Sequence, residues 1–384
     1  MENFKNLTAF PALMFDSLDP HDHGFSTVVA RLSYDMDIQS GGLKLCQDQG
    51  ELVEQDCYFG EIGRSSTRFE SDLAPFKPRL DVIINATAWA PGDKPVKTFT
   101  AGIQVGDFTR LIKITGPREW RKMITSWQLS DAQPVASLDL RYEYAPGGFY
   151  PTEGKDVIAS PANTVGMGWF PPELLKKSKT QQLPAPQIEW VTHPVEKIDR
   201  VMQPAGFGFY GRGWQGRIEY AGSYDLKWQK ERHPLLPDDF TYDYWCGAHP
   251  FMQFPFPEPL KSVPIRLRYL IAASEVANQQ IDLNVAVESL FVFVTTEKGA
   301  GVAKDMILDT LVIDLPSRKV HCSYRVVISE LMAPVITELR FIASDERQQQ
   351  LVTAARLNND PHSSEFVPLP PGLPGKIKEE KTRG

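Results

Sequence analysis

Four acids in one aromatic-rich stretch are the residues best placed to do chemistry. Glu219, Asp225, Asp238 and Asp239 lie among Trp214, Tyr220, Tyr224, Trp228 and Trp245. Aromatic platforms beside two carboxyl groups roughly 5–9 Å apart would suit cleavage of a sugar. The same acids also have a structural reading. Pro237-Asp238-Asp239 ahead of Phe240 is a turn or capping pattern, and Asp225 stands three residues before Trp228, where it can bond backbone. Acids beside turns commonly satisfy backbone groups, so structure outweighs catalysis here. Arg217 and Arg232 are the nearby cations, and a charge set among aromatics needs a partner because desolvation is costly. Arg217 with Asp225 or Asp239 is the expected pair.

Other chemistry finds little support. The chain has no Walker A loop, no GxSxG elbow, no HExxH and no dinucleotide fingerprint. Gly206, Gly208, Gly211 and Gly213 form a glycine-rich phrase without the strand-loop-helix setting of a phosphate cradle, so they are expected to serve positive φ in tight turns. His21-Asp22-His23 has adjacent positions that point apart in a strand, which suits a polar turn better than a metal centre. Cys46, Cys57, Cys246 and Cys322 make no CxxC pair and have no histidine at zinc spacing. No catalytic residue, metal or cofactor is expected.

The frame that must position these residues is bounded by composition. The chain has 384 residues, long enough for two domains or one large β domain, with 42% apolar and 23% charged residues. A net charge of -7 speaks against nucleic-acid binding and against a basic membrane-surface patch. Few, scattered cysteines suit a reducing, cytoplasmic setting. Residues 1–17 lack the pattern of a secretory signal, and no run of ~18 uncharged apolar residues suggests a membrane helix.

Period-two patterns dominate. In residues 25–37, Val28, Ala30, Leu32, Tyr34 and Met36 share one strand face. Residues 81–90 read as a strand closed by Pro91-Gly92, and 98–105 with 108–115 as a hairpin turning on Gly106-Asp107. Strands follow at 263–271, 284–297, 309–315, 319–328 and 336–342, with Pro316-Ser317-Arg318 closing a second hairpin. Helical signals are sparse: a short turn at 172–177 and a helix at 344–357 capped by Ser344. Residues 145–259 are dense in Gly, Pro and aromatics and read as ordered irregular structure. The expected fold is mainly β, with antiparallel sheets in a sandwich-like arrangement, long Gly/Pro/aromatic loops and one C-terminal helix. The expected divisions are 1–259, 260–360 and a flexible Pro-rich, charged tail at 361–384.

The run Gly222-Ser223-Tyr224-Asp225-Leu226-Lys227-Trp228, continuing through Glu231-Arg232 to Pro234-Leu235-Leu236-Pro237-Asp238-Asp239-Phe240, resembles a bacterial family signature. Further phrases keep the family's order. They are Pro75-Phe76-Lys77-Pro78-Arg79 with Asp81, Ala90-Pro91-Gly92, Gly116 with Arg118 and Trp120, and Tyr142-Glu143 with Gly147-Gly148. Leu183-Pro184 with Ile188-Glu189, Pro204-Ala205-Gly206-Phe207-Gly208 with Trp214 and Arg217, Asp309-Thr310-Leu311 and Tyr324-Arg325 follow. The chain is thereby similar to the family catalogued as domain of unknown function 2169, found beside type VI secretion spike proteins and toxins. Departures are Thr164 in the usual Asn-Pro-Val-Gly, Phe209 where Pro is common, and Tyr324 where Trp is usual.

The resemblance implies a non-catalytic adaptor or chaperone that binds a cognate toxin and helps load it onto the spike and its tip protein. It would work in the bacterial cytoplasm, with co-secretion alongside the spike as an option, and without membrane insertion. The family residues carried over as structural or partner-binding are Trp214, Arg217, Tyr224, Asp225, Trp228, Arg232, Pro237, Asp238 and Asp239. Two alternatives stand beside it: a carbohydrate-active β-fold hydrolase using paired carboxylates, and a structural piece of the secretion apparatus.

Overall fold

Strands are the main regular element of the computed structural model, which describes residues 3–124, 126–151, 157–175, 179–258, 261–296, 301–330 and 334–341. The largest sheet has seven strands. Ala12–Leu18, Gly24–Met36, Lys319–Ser329, Ile307–Asp314, Leu80–Asn85 and Gln253–Phe254 lie side by side, and Leu43–Leu45 pairs the end of Gly24–Met36. Its pairings are antiparallel except that Leu80–Asn85 runs parallel to Ile307–Asp314. A five-stranded antiparallel sheet follows the order Ile188–Trp190, Phe108–Thr115, Thr98–Val105, Ser262–Arg268, Gln280–Ala286. Four further strands, Phe4–Asn6, Pro334–Phe341, Leu290–Thr296 and Gly301–Asp305, make a third sheet.

The two larger sheets obey different burial patterns. Ser262–Arg268 alternates buried and exposed along its length, as a strand with one wet face must. Gly24–Met36 and Leu80–Asn85 are buried on both faces. One face of the seven-stranded sheet carries Val28, Ala30, Leu32, Tyr34, Val82 and Ile84, which join Ala101, Ile103, Ile112, Ile265 and Leu283 of the five-stranded sheet in one apolar cluster. Fully burying each such side chain contributes about 1.5–3 kcal/mol. Sequence periodicity marks this face.

The second face is polar. Arg31, Ser323, Thr310 and Asp81 stand in one row across four strands. Residues 46–79 and 205–254 supply partners from above. Asp72 accepts from Arg31 at 3.0 Å and from Ser323 at 2.8 Å, and its backbone carbonyl accepts from Arg325 at 2.7 Å. Lys77 donates to Asp81 and to Thr310, both at 2.8 Å, and the backbone N–H of Gly247 donates to Asp81 at 2.6 Å. A bulge between Leu308 and Thr310 sets Asp309 against Arg325. These charges are all buried, and each is paired, which is the condition on which buried charge is tolerated.

Several sequence expectations change in detail. The stretch 81–90 splits after Asn85, and Thr87–Trp89 pairs Ser137–Asp139 in a separate ribbon. The stretch 284–297 breaks at 287–289, so that Gln280–Ala286 stays in the five-stranded sheet and Leu290–Thr296 joins the third. The turn at Gly106, with φ +54°, joins two fully paired strands. Both larger sheets draw strands from either side of residue 260. The helix expected at 344–357 and the tail at 361–384 lie outside the described residues.

Candidate functional site

The signature residues fall into a buried anchor and an exposed loop. The anchor is Arg217, 1% exposed, in the one-turn helix Gln215–Ile218. Its guanidinium pairs with the Glu70 carboxylate through both terminal nitrogens, the second at 3.2 Å. It also donates to the carbonyls of Tyr210 at 2.6 Å and Tyr244 at 3.0–3.1 Å. Arg212 approaches the same Glu70 at 3.5 Å and pairs with Asp56 at 3.0 Å. The expected pairing of Arg217 with Asp225 or Asp239 is therefore corrected to Glu70, because both aspartates are taken by local turns. Glu70 lies 147 positions away, beyond the reach of any spacing argument.

Trp214 packs edge-on against Tyr142 and Tyr210, each at 5.0 Å, and its indole N–H reaches the Thr164 hydroxyl at 3.3 Å. The glycines around it are chosen for space. Gly206, Gly208, Gly211 and Gly213 are absent from the positive-φ positions, contrary to expectation. A Cβ on Gly206 would sit 2.7 Å from the Tyr142 ring, and one on Gly211 would sit 2.5 Å from the Trp214 ring. Rings packed onto bare backbone, not turn geometry, require Gly206 and Gly211, whereas Gly208 has only an ordinary contact at 3.9 Å and Gly213 faces open space.

The exposed part is a loop closed on itself between Gly222 and Asp239. At its neck, Asp239 accepts from the backbone N–H of Ser223 at 2.8 Å and from its hydroxyl at 2.7 Å, and the hydroxyl holds the Asp239 carboxyl below its ordinary pKa. Gly222 has φ +83° and faces the buried Pro237, 2.8 Å from where a Cβ would stand. Asp225 caps the short helix Leu226–Glu231, accepting from the N–H of Trp228 at 2.8 Å. The Trp228 indole N–H donates across the loop to the Leu235 carbonyl at 2.8 Å, and its ring lies between Tyr224 at 4.6 Å and His233 at 5.2 Å. Arg232 fastens the loop to the body: it pairs with Asp22 at 2.8 Å and Asp238 at 3.2 Å, and donates to the Pro20 carbonyl at 2.7 Å. His21-Asp22-His23 is thus a turn, built on backbone bonds to Asp19, that receives Arg232.

This frame displays Tyr224, 55% exposed, and Leu226, 72% exposed, beside the exposed Ile218 and Tyr220. A loop of this length would be floppy without ties; here Asp225, Trp228, Arg232, Asp238 and Asp239 make them through hydrogen bonds and ion pairs. Sequence reasoning marked these residues as a family signature but read neither the closed loop nor the side chains it shows. Leu226 was legible as the lone aliphatic at the head of a capped helix. Among the described residues no group of three or more His, Cys, Asp or Glu side chains gathers as a metal site, the four cysteines are free, and no helix is long and apolar enough to cross a membrane.

The phrases that resemble the family converge in space. Lys77, Asp81, Asp309, Thr310 and Arg325 meet in the polar layer of the seven-stranded sheet, and Tyr142, Thr164, Gly206 and Trp214 meet beneath the loop. The model of the bacterial family DUF2169, described as an uncharacterized protein conserved in bacteria, matches residues 21–325. The chain belongs to this family. No curated protein and no solved structure matches this DUF2169 member. The matched span begins at the turn that holds Arg232 and ends at Arg325, so it takes in the loop, the anchor and the polar layer alike.

Proposed function

We propose that this DUF2169 member is a non-catalytic adaptor of a type VI secretion system, one that binds a cognate toxin and helps load it onto the spike and its tip protein. It acts in the bacterial cytoplasm before the spike is fired. The observation that carries the reading is the loop at 222–239, in which Ser223, Asp225, Arg232, Asp238 and Asp239 bond to the frame or the body while Tyr224 and Leu226 are left exposed. Exposed aromatic and aliphatic side chains held in one conformation are what a protein interface uses as anchors, because little entropy is lost when they dock. Three of the four acids that a hydrolase could use are engaged elsewhere: Asp225 on a helix cap, Asp238 on Arg232 and Asp239 on Ser223, which leaves the exposed Glu219 without a second free carboxylate among them. That supports binding over sugar cleavage.

Affinity capture of the tagged full chain from its native bacterium, read by mass spectrometry, tests the proposal. Recovery of a spike protein together with a toxin is expected, and loss of both from a Tyr224→Ala/Leu226→Asp variant that still melts normally. Recovery of neither from the unmodified chain, together with glycan hydrolysis by the pure protein, would refute it.

A further inference from the structure

A cavity lined by none of the signature-loop residues lies on the outer face of a three-stranded sheet. The strands are Trp127–Leu129, Glu119–Lys122 and Gln182–Pro184. Trp120 and Leu183 point inward to a small apolar core with Phe170 and Ala185. Glu119, Arg121, Gln182 and Pro184 therefore face outward, and they floor a cavity of about 680 Å³.

Arg118 heads this floor. Its side chain is 9% exposed and lines the cavity. The Nε donates to the Pro186 carbonyl at 3.1 Å, but Nη2 is buried without a hydrogen-bond partner. The nearest carboxylate, Glu189, lies 3.6 Å from Nη2, and that oxygen already accepts from the N–H of Val195 at 2.6 Å. Its other oxygen is 2.8 Å from Lys113 Nζ. Lys113 is 39% exposed and hydrated, so Glu189 is the buried counter-charge of Arg118, yet at 3.6 Å it leaves Nη2 with no acceptor within hydrogen-bond distance. Burial lowers the Arg118 pKa from its ordinary value, against the pull of Glu189, yet a guanidinium stays charged in a protein. At the rim, Arg121 and Glu119 offset each other at 3.8 Å, and Asp131 is exposed, where water screens it.

We propose that this cavity is a carboxylate-binding site, with Arg118 as the charged contact and the surrounding glutamine side chains as neutral polar contacts. A buried donor without a partner is costly, and a carboxylate is the acceptor that would satisfy it with a charge-assisted bond. The glutamines Gln133, Gln182 and Gln187 offer amide groups to the remainder of the ligand, while the Ser130 hydroxyl is held by the Glu119 N–H and the Asp131 carbonyl. The carboxylate could belong to a small free acid or to the end of a peptide. The inference stands apart from the adaptor reading, since it uses none of the loop residues.

Titration calorimetry on the full chain tests it with glutarate and with an N-acetylated trialanine acid, each against its neutral amide, and with inorganic phosphate. At least one acid is expected to bind while its amide does not, and whichever binds names the source. Arg118→Gln should weaken that binding on the order of ten- to a hundredfold, the usual worth of a charge-assisted pair. Gln182→Trp, a change at an exposed position of the floor, should block it while leaving Arg118 and Glu189 in place. The melting temperature of each variant separates lost binding from lost folding. No binding by either acid, phosphate binding as tightly as the acids, or binding untouched by Gln182→Trp overturns the proposal.

Discussion

Replacing Arg217 by Met tests the anchor beneath the loop. The substitution removes a fully buried guanidinium that serves Glu70 and the carbonyls of Tyr210 and Tyr244. Truncating one partner of a buried pair costs about 3–5 kcal/mol, chiefly because the other charge is left stranded. Arg212, 3.5 Å from Glu70, takes up part of that charge and draws the expectation toward the lower end. With an unfolding entropy of about 2.1 cal/mol/K per residue over 384 residues, the melting temperature should fall by about 4–6 °C. A double-mutant cycle makes the argument sharper. Glu70→Leu alone leaves Arg217 uncompensated, whereas the double variant leaves neither charge, so the double should cost at least about 2 kcal/mol less than the sum of the singles. The two orphaned carbonyls keep it from being neutral. Circular dichroism melts of the four proteins read this directly. Strictly additive losses, or a single-variant loss within about 0.5 kcal/mol as for an ordinary surface change, would show that Glu70 and Arg217 are not coupled.

Four further outcomes follow from the same geometry. Asp225→Ala removes the cap on Leu226–Glu231 and should cost about 1 kcal/mol, with faster amide exchange confined to the 222–239 loop. Leu226→Asp, at a position with nothing to lose in the core, should leave stability within about 0.5 kcal/mol while abolishing capture of the spike and toxin. Gly206→Ala should destabilise by roughly 1–3 kcal/mol through overpacking, and Gly213→Ala, with open space at its Cβ, should be close to neutral in the same melts. Burial pushes His249 down to about 3 and His321 down to about 4, the latter helped by Arg31, from the ordinary 6.5. The unfolded chain then binds more protons across that window, so their contribution is full above about 6.5 and is lost as pH falls toward 4, at up to about 1.4 kcal/mol per pH unit for each histidine. Denaturant titrations from pH 7 to 4 on the parent and on His249→Phe should show a shallower decline in the variant; parallel curves would contradict it.

What could be read from the sequence was what local pattern encodes. Alternation in 25–37 and 98–115 marks strands because one face of each must be apolar, and the Gly106-Asp107 turn sets their register. The described part of the irregular middle is held by its aromatics, with Tyr210 packed on Trp214 and Phe207 on Trp190, all buried. What could not be read is the polar layer. Arg31 finds Asp72, Arg325 finds Asp309 and Arg217 finds Glu70, and no periodicity announces such partners, since the choice is made by which loop lies over which strand. The same limit hid the glycine roles: a residue that must be small because a ring lies on it looks, in sequence, like one that must turn.

The two kinds of cohesion divide the molecule's labour. An apolar interface between sheets tolerates exchange of one aliphatic for another, so it carries little specification of which loop lies where. The polar face does carry it, because a buried charge is heavily penalised when it is parted from its own set of partners. Residues 46–79 and 205–254 are held to the seven-stranded sheet through such charges, and the signature loop is in turn fastened through Arg232 to the turn at Asp22. A loop so placed can present Tyr224 and Leu226 in one fixed position. The family phrases are therefore spent mostly on placement, and the two side chains that the placement exposes are the ones on which recognition should depend.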